Sequence, residues 1–481
     1  MLGIGVYSWL KTDNDVSGYM LGGRQLGPAV TALSAGASDM SGWMLLGLPG
    51  AMYVSGLSSG WIAIGLLTGA LLNYLLVAPR LRVYTEKARD AITIPDYFEK
   101  RFEDNSRILR LVSAVVIIVF FTLYTASGVT AGGKLFESAF GADYSFGLWI
   151  TAGVVVAYTL FGGFMAVSIT DFVQGCIMFV ALIMVPIIAF TSLGSSGLTT
   201  ELNAIDPGLL DWFGGGIGLV AIISAASWGL GYFGQPHIIV RFMAIRSVRD
   251  IPAARNIGMS WMLVTIIGAC ATGLIGLAYA SSHGIEIEDP ETIFIVLSQI
   301  LFHPIIGGFL LAAILAAIMS TISSQLLVAS SSLTEDIYAL LFRRNASDLE
   351  LVLIGRAAVI LVALVAIGLA YDRTSNVLTL VSNAWAGFGA AFGPLVLLSL
   401  WWKRMTRAGA LAGMVVGAAV VLFWVYGGAT MGGEPLSDVM YEIVPGFIAS
   451  LIVTVAVSLA TAAPRREIVA TFEEMQRGLS E

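Results

Sequence analysis

Apolar runs near or above the roughly 20 residues that a helix needs to cross a bilayer recur along the whole chain. Short polar connections separate these runs, and no stretch of soluble-domain size remains between them. They predict thirteen membrane spans, at residues 1–10, 28–52, 58–79, 107–133, 146–165, 171–193, 214–240, 256–281, 305–330, 351–371, 376–401, 408–427 and 442–462. The pattern therefore predicts an all-α integral membrane protein.

We expect the 481 residues to form a single polytopic membrane domain. Its predicted parts are a short first helix and loop (1–27), a first repeat (28–195), a second repeat (213–401), two further spans (402–462) and a tail (463–481). The first span has only about ten apolar residues, half of a crossing, and lacks the features of a signal peptide. We expect a truncated or misassigned start, with a longer first helix in the natural chain.

Two of the predicted spans contain residues that interrupt a helix. The second carries SAGASDMSGW at residues 34–43, which is rich in the weak helix formers Gly, Ser and Asp. The seventh carries SWGLGYFGQPH at residues 227–237, where Pro236 removes a backbone donor. Because these spans lie five apart, spans 2–6 and 7–11 would form two inverted repeats, and matching broken helices point to a transporter's central site. Ordinary glycine-rich packing faces are the alternative.

Composition and charge agree with a membrane protein of defined orientation. Hydrophobic residues make up 57% and charged residues 12% of the chain, whereas soluble domains carry about 25% charged residues. Of the 25 Lys and Arg residues, all but Lys134 and Arg373 fall on one side of the predicted spans. The positive-inside rule then places the N-terminus outside and the C-terminus in the cytoplasm. The net charge of −7 and the acidic outer loops suggest no nucleic-acid partner.

Asp39 stands near the middle of the interrupted second span, where an ionisable group is costly and a functional candidate by default. Every Lys and Arg maps to a loop or near the end of a span, so a mobile cation or a proton is the expected counter-charge. A structural role is the alternative. The break is expected to free the carbonyls of Ala37 and Ser38, which suit sodium, and the amides of Ser41 and Gly42, which suit a carboxylate.

The ninth span carries AAIMSTISSQLL, which places Ala317, Ser320 and Thr321 at positions i, i+3 and i+4. A carbonyl and two hydroxyls would gather on one helical face and could bind an alkali cation. Back-bonding of Ser and Thr to their own helix, or packing, is the alternative.

Aromatic residues near mid-span form a third group, with Tyr124 in span 4 and Trp228 and Tyr232 in span 7. Because Trp and Tyr usually collect at the membrane interfaces, this placement suggests the wall of a small pocket. Core packing is the alternative.

Several sequence features exclude other classes of function. Gly229, Gly231 and Gly234 form GxGxxG inside an apolar span, so they do not form a dinucleotide site. The chain has no HExxH motif and no phosphate-binding loop, and its cysteines, Cys176 and Cys270, lie in apolar segments. We therefore expect neither an enzyme nor a cofactor, and the energy for transport would come from an ion gradient.

Five segments resemble the sodium:solute symporter family, and within it the members that carry proline. They are GGRQLGPAVTALSAGASDMSGWMLLGLPGA, TIPDYFEKRFED, GGFMAVSITDFVQ, SWGLGYFGQPHIIVRFMA and AAIMSTISSQLL, and the resemblance runs from about residue 20 to the last span. It implies a LeuT-like fold, with five-plus-five inverted repeats and about thirteen helices. It also implies sodium-coupled uptake of L-proline by alternating access in the plasma (inner) membrane. The expected partners are L-proline, Na⁺ as the co-transported ion and the lipid bilayer, with no obligate protein partner.

The resemblance also assigns roles to single residues. It implies that sodium is held by the carbonyls of Ala37, Met40 and Ala317 and the hydroxyls of Ser320 and Thr321, with Asp39 in support. It implies that proline lies near Ser41, Gly42, Trp43, Tyr124, Trp228, Tyr232 and Pro236. Asp171 matches an aspartate tied to sodium use, although its position at a predicted span end also suits a helix cap. Arg24 matches a cytoplasmic arginine linked to function.

Two other transport functions remain open at this stage. A proton-coupled amino-acid carrier would use Asp39 as its titrating group. Another member of the same family would carry a different small organic solute. A receptor or sensor on the same scaffold is less favoured, because only about twenty residues follow the last predicted span.

Overall fold

A computed structural model describes residue 3 and residues 21–194, 197–214, 217–343, 345–373 and 376–479. These residues are almost entirely helical, as the long apolar runs predict. The predicted first span, residues 1–10, lies outside the described residues except for Gly3.

The first part of the chain, up to residue 250, forms ten α-helices. They are α1 (Pro28–Asp39), α2 (Leu48–Ser55), α3 (Gly60–Leu76), α4 (Ala78–Lys87), α5 (Ile94–Phe102), α6 (Ile108–Phe140), α7 (Tyr144–Thr191), α8 (Leu198–Ile205), α9 (Leu219–Ala226) and α10 (Pro236–Ala244). A π-helical segment covers Trp43–Gly47, and 3-10 segments cover Gly22–Arg24, Gly56–Ser59, Pro207–Leu210, Ser227–Gly234 and Val248–Asp250.

The remaining part adds nine α-helices and a short hairpin. The helices are α11 (Ile251–Ser282), α12 (Ile293–Ile300), α13 (Pro304–Ser331), α14 (Asp348–Leu369), α15 (Val377–Trp401), α16 (Arg407–Tyr426), α17 (Leu436–Val439), α18 (Ile443–Ala460) and α19 (Arg466–Gly478). A 3-10 segment covers Pro290–Thr292, and a π-helical segment covers Ser332–Ala339. The hairpin pairs β1 (Thr430–Met431) antiparallel with β2 (Glu434–Pro435).

Within the described residues, nine helical segments are long and apolar enough to cross a membrane. Shorter apolar helices at Tyr144–Leu160 and Leu219–Gly234 coincide with the predicted fifth and seventh spans. Thirteen crossings and the repeat boundaries stay predictions. The structure also adds α12, an apolar helix in a connection that the hydropathy pattern left without one.

The predicted boundary between the fifth and sixth spans is wrong. The sequence analysis ends the fifth span at residue 165 and starts the sixth at residue 171. In the structure the helical direction changes at Gly163, whose backbone has φ 57° and ψ −162°. Only glycine adopts such a conformation readily, because it has no Cβ. Asp171 therefore lies inside a continuous helix and not at its end.

The broken second span lies in the centre of the helical bundle. Its first half, α1, packs against α7, α10, α11 and α13. All of Thr31–Ala35 and Ala37–Ser41 is buried. A helix surrounded in this way can leave backbone groups unpaired only where protein, water or a ligand satisfies them.

Candidate functional site

The second span breaks at the place that its sequence predicts. Helix α1 ends at Asp39, and Met40 has a non-helical backbone with φ −80° and ψ 78°. The amide of Met40 still donates to the carbonyl of Gly36 at 2.9 Å. The amide of Ser41 donates to the carbonyl of Asp39 at 2.9 Å. The prediction that the break frees the Ser41 amide is therefore wrong, since this tight turn already supplies a partner.

The break faces the hydroxyl-bearing part of α13. The hydroxyl of Ser320 donates to the carbonyl of Ala37 at 2.7 Å and lies 3.0 Å from the carbonyl of Ala317. The hydroxyl of Thr321 lies 3.5 Å from the same Ala37 carbonyl. Four of the five oxygens assigned to sodium therefore converge in the fold, although Ala37 lies 283 residues from Ser320 and 284 residues from Thr321 in the sequence. The fifth, the carbonyl of Met40, belongs to the break itself.

Asp39 is buried, and the hydroxyl of Tyr232 donates a hydrogen bond to its Oδ2. Its Oδ1 has no hydrogen-bond partner, and no ion pair involves Asp39 among the residues that the structure describes. Asp39 lines a cavity of about 30 Å³ together with Asn73, whose side-chain amide is also buried without a partner. A cavity of this size holds one or two waters. The carboxylate thus faces a polar, solvent-sized space and not a fixed basic side chain.

Aromatic rings stand around the break. The indole of Trp43 donates to the carbonyl of Asp39 at 3.0 Å, and its ring lies 6.5 Å from the ring of Trp228. Tyr124 is buried near Ser41 and Trp43. Its hydroxyl makes no hydrogen bond to any described residue. An unpaired buried hydroxyl beside a broken helix is well placed to bind a polar group of a solute.

Gly42 has a packing role that needs no ligand. A Cβ atom built on it would lie 2.8 Å from the Cβ of Ala131 and 3.3 Å from Ile318. Close packing alone thus requires glycine here, so Gly42 is weaker support for a binding site than Tyr124.

The seventh span is interrupted as its glycines and proline predict. The segment Ser227–Gly234 is a 3-10 helix, and Gln235 is extended before Pro236 begins α10. Trp385 of α15 stabilises this segment: its indole donates to the carbonyl of Trp228 at 2.7 Å, and its carbonyl accepts from the Gln235 side chain at 3.1 Å. Pro236 is buried at the first position of α10.

The structure places Asp171 in a buried network with Ser34, Arg241 and Ser324. Its Oδ2 accepts from Ser34 at 2.8 Å and from Arg241 at 3.1 Å, and Ser324 lies at 3.3 Å. Arg241 also donates to the carbonyl of His237 at 2.5 Å. Both members of the Asp171–Arg241 pair are fully buried. The helix-cap interpretation of Asp171 is therefore wrong, because its partners belong to three other helices.

Arg24 joins separate segments at one face of the bundle. Its guanidinium donates to Asp90 at 2.8 Å, to the carbonyl of Ala91 at 2.7 Å and to the carbonyl of Met243 at 2.6 Å. Beside it, Leu26 forms an isolated parallel bridge with Ile245. These contacts join the start of the broken second span to the end of the broken seventh span, on the face that carries most of the basic residues.

Sequence reasoning missed two residues of this region, Trp385 and Arg241. Trp385 is a mid-span tryptophan, so the argument applied to Trp228 would have found it. The sequence analysis ends the seventh span at residue 240 and therefore treats Arg241 as a loop residue. A buried role for Arg241 could have been suspected, since it is a charged residue at the edge of an apolar run, but its partner could not.

A sequence model of the sodium:solute symporter family matches residues 19–417. The chain belongs to the sodium:solute symporter family. As a member of this family it is a multi-pass membrane transporter and not an enzyme, with Na⁺ as the co-transported ion.

Similar proteins of the family cover the whole chain. The osmoregulated proline transporter OpuE of Bacillus subtilis is 59% identical over 99% of this chain and 96% of its own length. The high-affinity proline transporter PutP of Bacillus subtilis is 59% identical over the full length of both chains. A sodium/proline symporter of Staphylococcus aureus is 56% identical over 96% of this chain and 90% of its own length.

Solved structures with this fold support its assignment as LeuT-like. A Na⁺-coupled sialic acid symporter, in a substrate-bound outward-open state, aligns with a TM-score of 0.79 at 19% identity, over 97% of this chain and 96% of that chain. Mhp1, a nucleobase-cation-symport-1 family transporter, aligns with a TM-score of 0.58 at 14% identity, over 95% and 98%. The predicted fold class is confirmed.

Proposed function

We propose that this protein couples sodium entry to the uptake of L-proline by alternating access around one central site. The observation that supports the proposal most directly is the contact of Ser320 and Thr321 with the Ala37 carbonyl across the broken helix. Such a set contains only neutral oxygens, which suits a hard cation. The 56–59% identity to proline transporters and a sodium/proline symporter supports the choice of solute and ion.

In the proposed site, sodium binds between the carbonyls of Ala37, Met40 and Ala317 and the hydroxyls of Ser320 and Thr321. Asp39 contributes its negative charge without being a required ligand. Proline binds in the space beside the break, and the residues proposed to contact it are Ser41, Gly42, Trp43, Tyr124, Trp228, Tyr232 and Pro236. Asp171 supports sodium use through the helices that it joins.

Sodium binding would bridge α1 and α13 and fix the geometry of the break, which favours proline binding in turn. Linkage requires that proline tighten sodium binding by the same factor. Arg24 would then hold the cytoplasmic face closed until the loaded site is occluded, and its release would open the site inward. We further propose that the N-terminus lies outside and the C-terminus in the cytoplasm, because most basic residues fall on the face that carries Arg24. The proposed location is the plasma (inner) membrane.

One sodium per proline supplies enough energy for useful uptake. Proline is a neutral zwitterion, so each cycle moves one net charge. A membrane potential of 100 mV contributes about 2.3 kcal/mol, and a tenfold sodium gradient contributes about 1.4 kcal/mol. The total of roughly 3.7 kcal/mol would maintain a proline accumulation of several hundred-fold.

The test is uptake of labelled L-proline into proteoliposomes with sodium and pH gradients imposed separately. We expect uptake only with an inward sodium gradient. In Asp39→Cys we expect half-maximal uptake to require a higher external sodium concentration than in the wild type. Uptake driven by a pH gradient without sodium would identify a proton-coupled carrier instead. Competition by unlabelled pantothenate, sugars and organic acids tests which solute the protein prefers. Strong inhibition of proline uptake by one of these compounds would identify that compound, and not proline, as the substrate.

A further inference from the structure

A cavity of about 660 Å³ lies among three elements on the face that carries most of the basic residues. Its walls are residues 82–87 of α4, residues 246–249 between α10 and α11, and residues 478–479 at the end of α19. Its volume falls in the range of roughly 300–1,000 Å³ that small-molecule sites occupy. None of the residues proposed to bind sodium or proline is among the described residues that line it. The cavity is therefore separate from the central site.

Basic side chains predominate in the lining of this cavity. They are Arg82, Lys87, Arg246 and Arg249. Two acidic groups offset part of this charge, since Glu86 pairs with Arg82 at 2.6 Å and Asp250 pairs with Arg246 at 2.5 Å. The four basic groups outnumber these two acidic groups, so the cavity keeps an excess of positive charge. Such an excess favours an anionic ligand.

Arg82 is held in a fixed orientation beside the cavity. It is only 6% exposed. Its Nε donates to the carbonyl of Ile245 at 2.7 Å, and a terminal nitrogen lies 3.4 Å from the carbonyl of Arg246. The planar guanidinium presents parallel N–H donors that match the oxygens of a phosphate. Because its neighbours already orient it, Arg82 needs little further ordering to bind such a group.

The elements around the cavity also hold the end of the broken seventh span. Helix α4 packs against α10, the second half of that span, and against α19. Ile245, just after α10, bridges to Leu26 beside Arg24. A ligand that spans the cavity would add a contact between α4 and the connection from α10 to α11. It would thereby restrain the end of the seventh span.

We propose that this cavity binds a phosphate-bearing anion through Arg82, Lys87 and Arg246, and that the bound anion slows inward opening. The headgroup of an anionic lipid and a soluble organic phosphate share this chemistry. A chloride ion fits less well, because the cavity is far larger than one ion and Val83 and Val248 line it with apolar surface. The binding step is independent of the proposed function, whereas the effect on opening rests on it.

The binding test uses the purified full-length protein in nanodiscs of phosphatidylcholine. One arm measures the binding of labelled glycerol 1-phosphate from solution. The other arm adds spin-labelled phosphatidylglycerol and measures the fraction that the protein immobilises. Binding in the first arm identifies a soluble ligand, and binding in the second arm alone identifies a lipid headgroup.

The double variant Lys87→Gln/Arg246→Gln should weaken the binding in either arm at least about tenfold, because it removes two charged contacts to the phosphate. Both side chains are exposed, so the fold should be retained. Arg89→Gln/Arg255→Gln is the matched control, since it removes the same charge from neighbouring residues outside the cavity. We expect this control to stay within about twofold of the wild type.

Three results would overturn the site. One is the absence of binding in both arms. Another is equal weakening in the two double variants, which would indicate attraction to general surface charge. The third is displacement of the probe by chloride as effective as displacement by phosphate at the same ionic strength, because simple screening would explain it.

Transport provides the second readout. We compare sodium-driven proline uptake into phosphatidylcholine proteoliposomes with and without the probe that binds, phosphatidylglycerol in the bilayer or glycerol 1-phosphate in the lumen. At saturating probe we expect kcat to fall at least about fivefold, the lower end of the range for coupled sites, with KM little changed. Lys87→Gln/Arg246→Gln should abolish this inhibition, and Arg89→Gln/Arg255→Gln should retain it. An unchanged kcat in the wild type would overturn the effect on opening.

Failure of the proposed function would give a different result. In that case the wild type would take up no proline with sodium, with or without the probe. The nanodisc measurement would still decide whether the cavity binds a phosphate-bearing anion.

Discussion

Ser320→Ala tests the cation site most directly, because it removes one oxygen and keeps the helix. The hydroxyl of Ser320 lies 2.7 Å from the carbonyl of Ala37 and 3.0 Å from that of Ala317. A hydrogen bond or dipole contact to a charged group contributes about 1.5–3 kcal/mol. At about 1.4 kcal/mol for each tenfold change in affinity, the loss corresponds to a 10- to 150-fold rise in the sodium concentration for half-maximal uptake.

The assay is initial uptake of labelled proline into proteoliposomes as a function of external sodium. In Ser320→Ala we expect the KM for proline to be high at low sodium and to return toward the wild-type value at saturating sodium, because the two ligands are linked. A variant that removed a contact to proline would show no such rescue.

Ser330→Ala is the matched control. Ser330 is buried in the same helix and donates to the carbonyl of Leu327 at 2.9 Å, three residues earlier, as Ser320 does to Ala317. It lies ten residues further along α13, about 15 Å away. We expect its half-saturating sodium concentration to stay within threefold of the wild type. If Ser320→Ala also stayed within threefold, the sodium site would not be at Ser320.

Two further changes test the surroundings of the site. Asp171→Asn should destabilise the protein by about 3–5 kcal/mol, because it leaves Arg241 buried without its counter-charge. Thermal unfolding measures this loss of stability. The loss should be smaller in the double variant Asp171→Asn/Arg241→Gln, which removes both charges. Gly231→Ala should abolish most uptake, because its Cβ would lie 1.9 Å from the indole nitrogen of Trp385. Gly153→Ala, which has no neighbouring atom within 4 Å of its Cβ, should retain wild-type uptake.

The fold and the helix breaks were predictable because their signals are local. A run of twenty apolar residues predicts a span wherever it folds, and a cluster of Gly, Ser and Asp or a proline weakens a helix by its own chemistry. The spacing of Ala317, Ser320 and Thr321 likewise places their oxygens on one face of any α-helix. These expectations needed no knowledge of which helices become neighbours.

The Asp171–Arg241 pair was not predictable in the same way. Asp171 and Arg241 are 70 residues apart, and nothing in either segment identifies the other as its partner. Their charges were also hidden by small errors in span boundaries, since a shift of a few residues turns a buried charge into a loop charge. The break at Gly163 shows the same limit, because hydropathy does not locate a change of direction within an apolar stretch.

The position of Asp39 agrees with the proposal that its carboxylate favours sodium without binding it. Its carboxyl group faces Tyr232 and the small cavity with Asn73, whereas the carbonyl of Ala37 faces Ser320 on α13. The side chain and the oxygen cluster therefore use different sides of the same broken helix. If the bound ion lay on the order of 8 Å from the carboxylate, the two unit charges would attract by about 2 kcal/mol at an effective dielectric constant near 20. Such an attraction would raise sodium affinity about thirtyfold. It would act through space, so the neutral oxygens would remain free to select the ion by size and geometry.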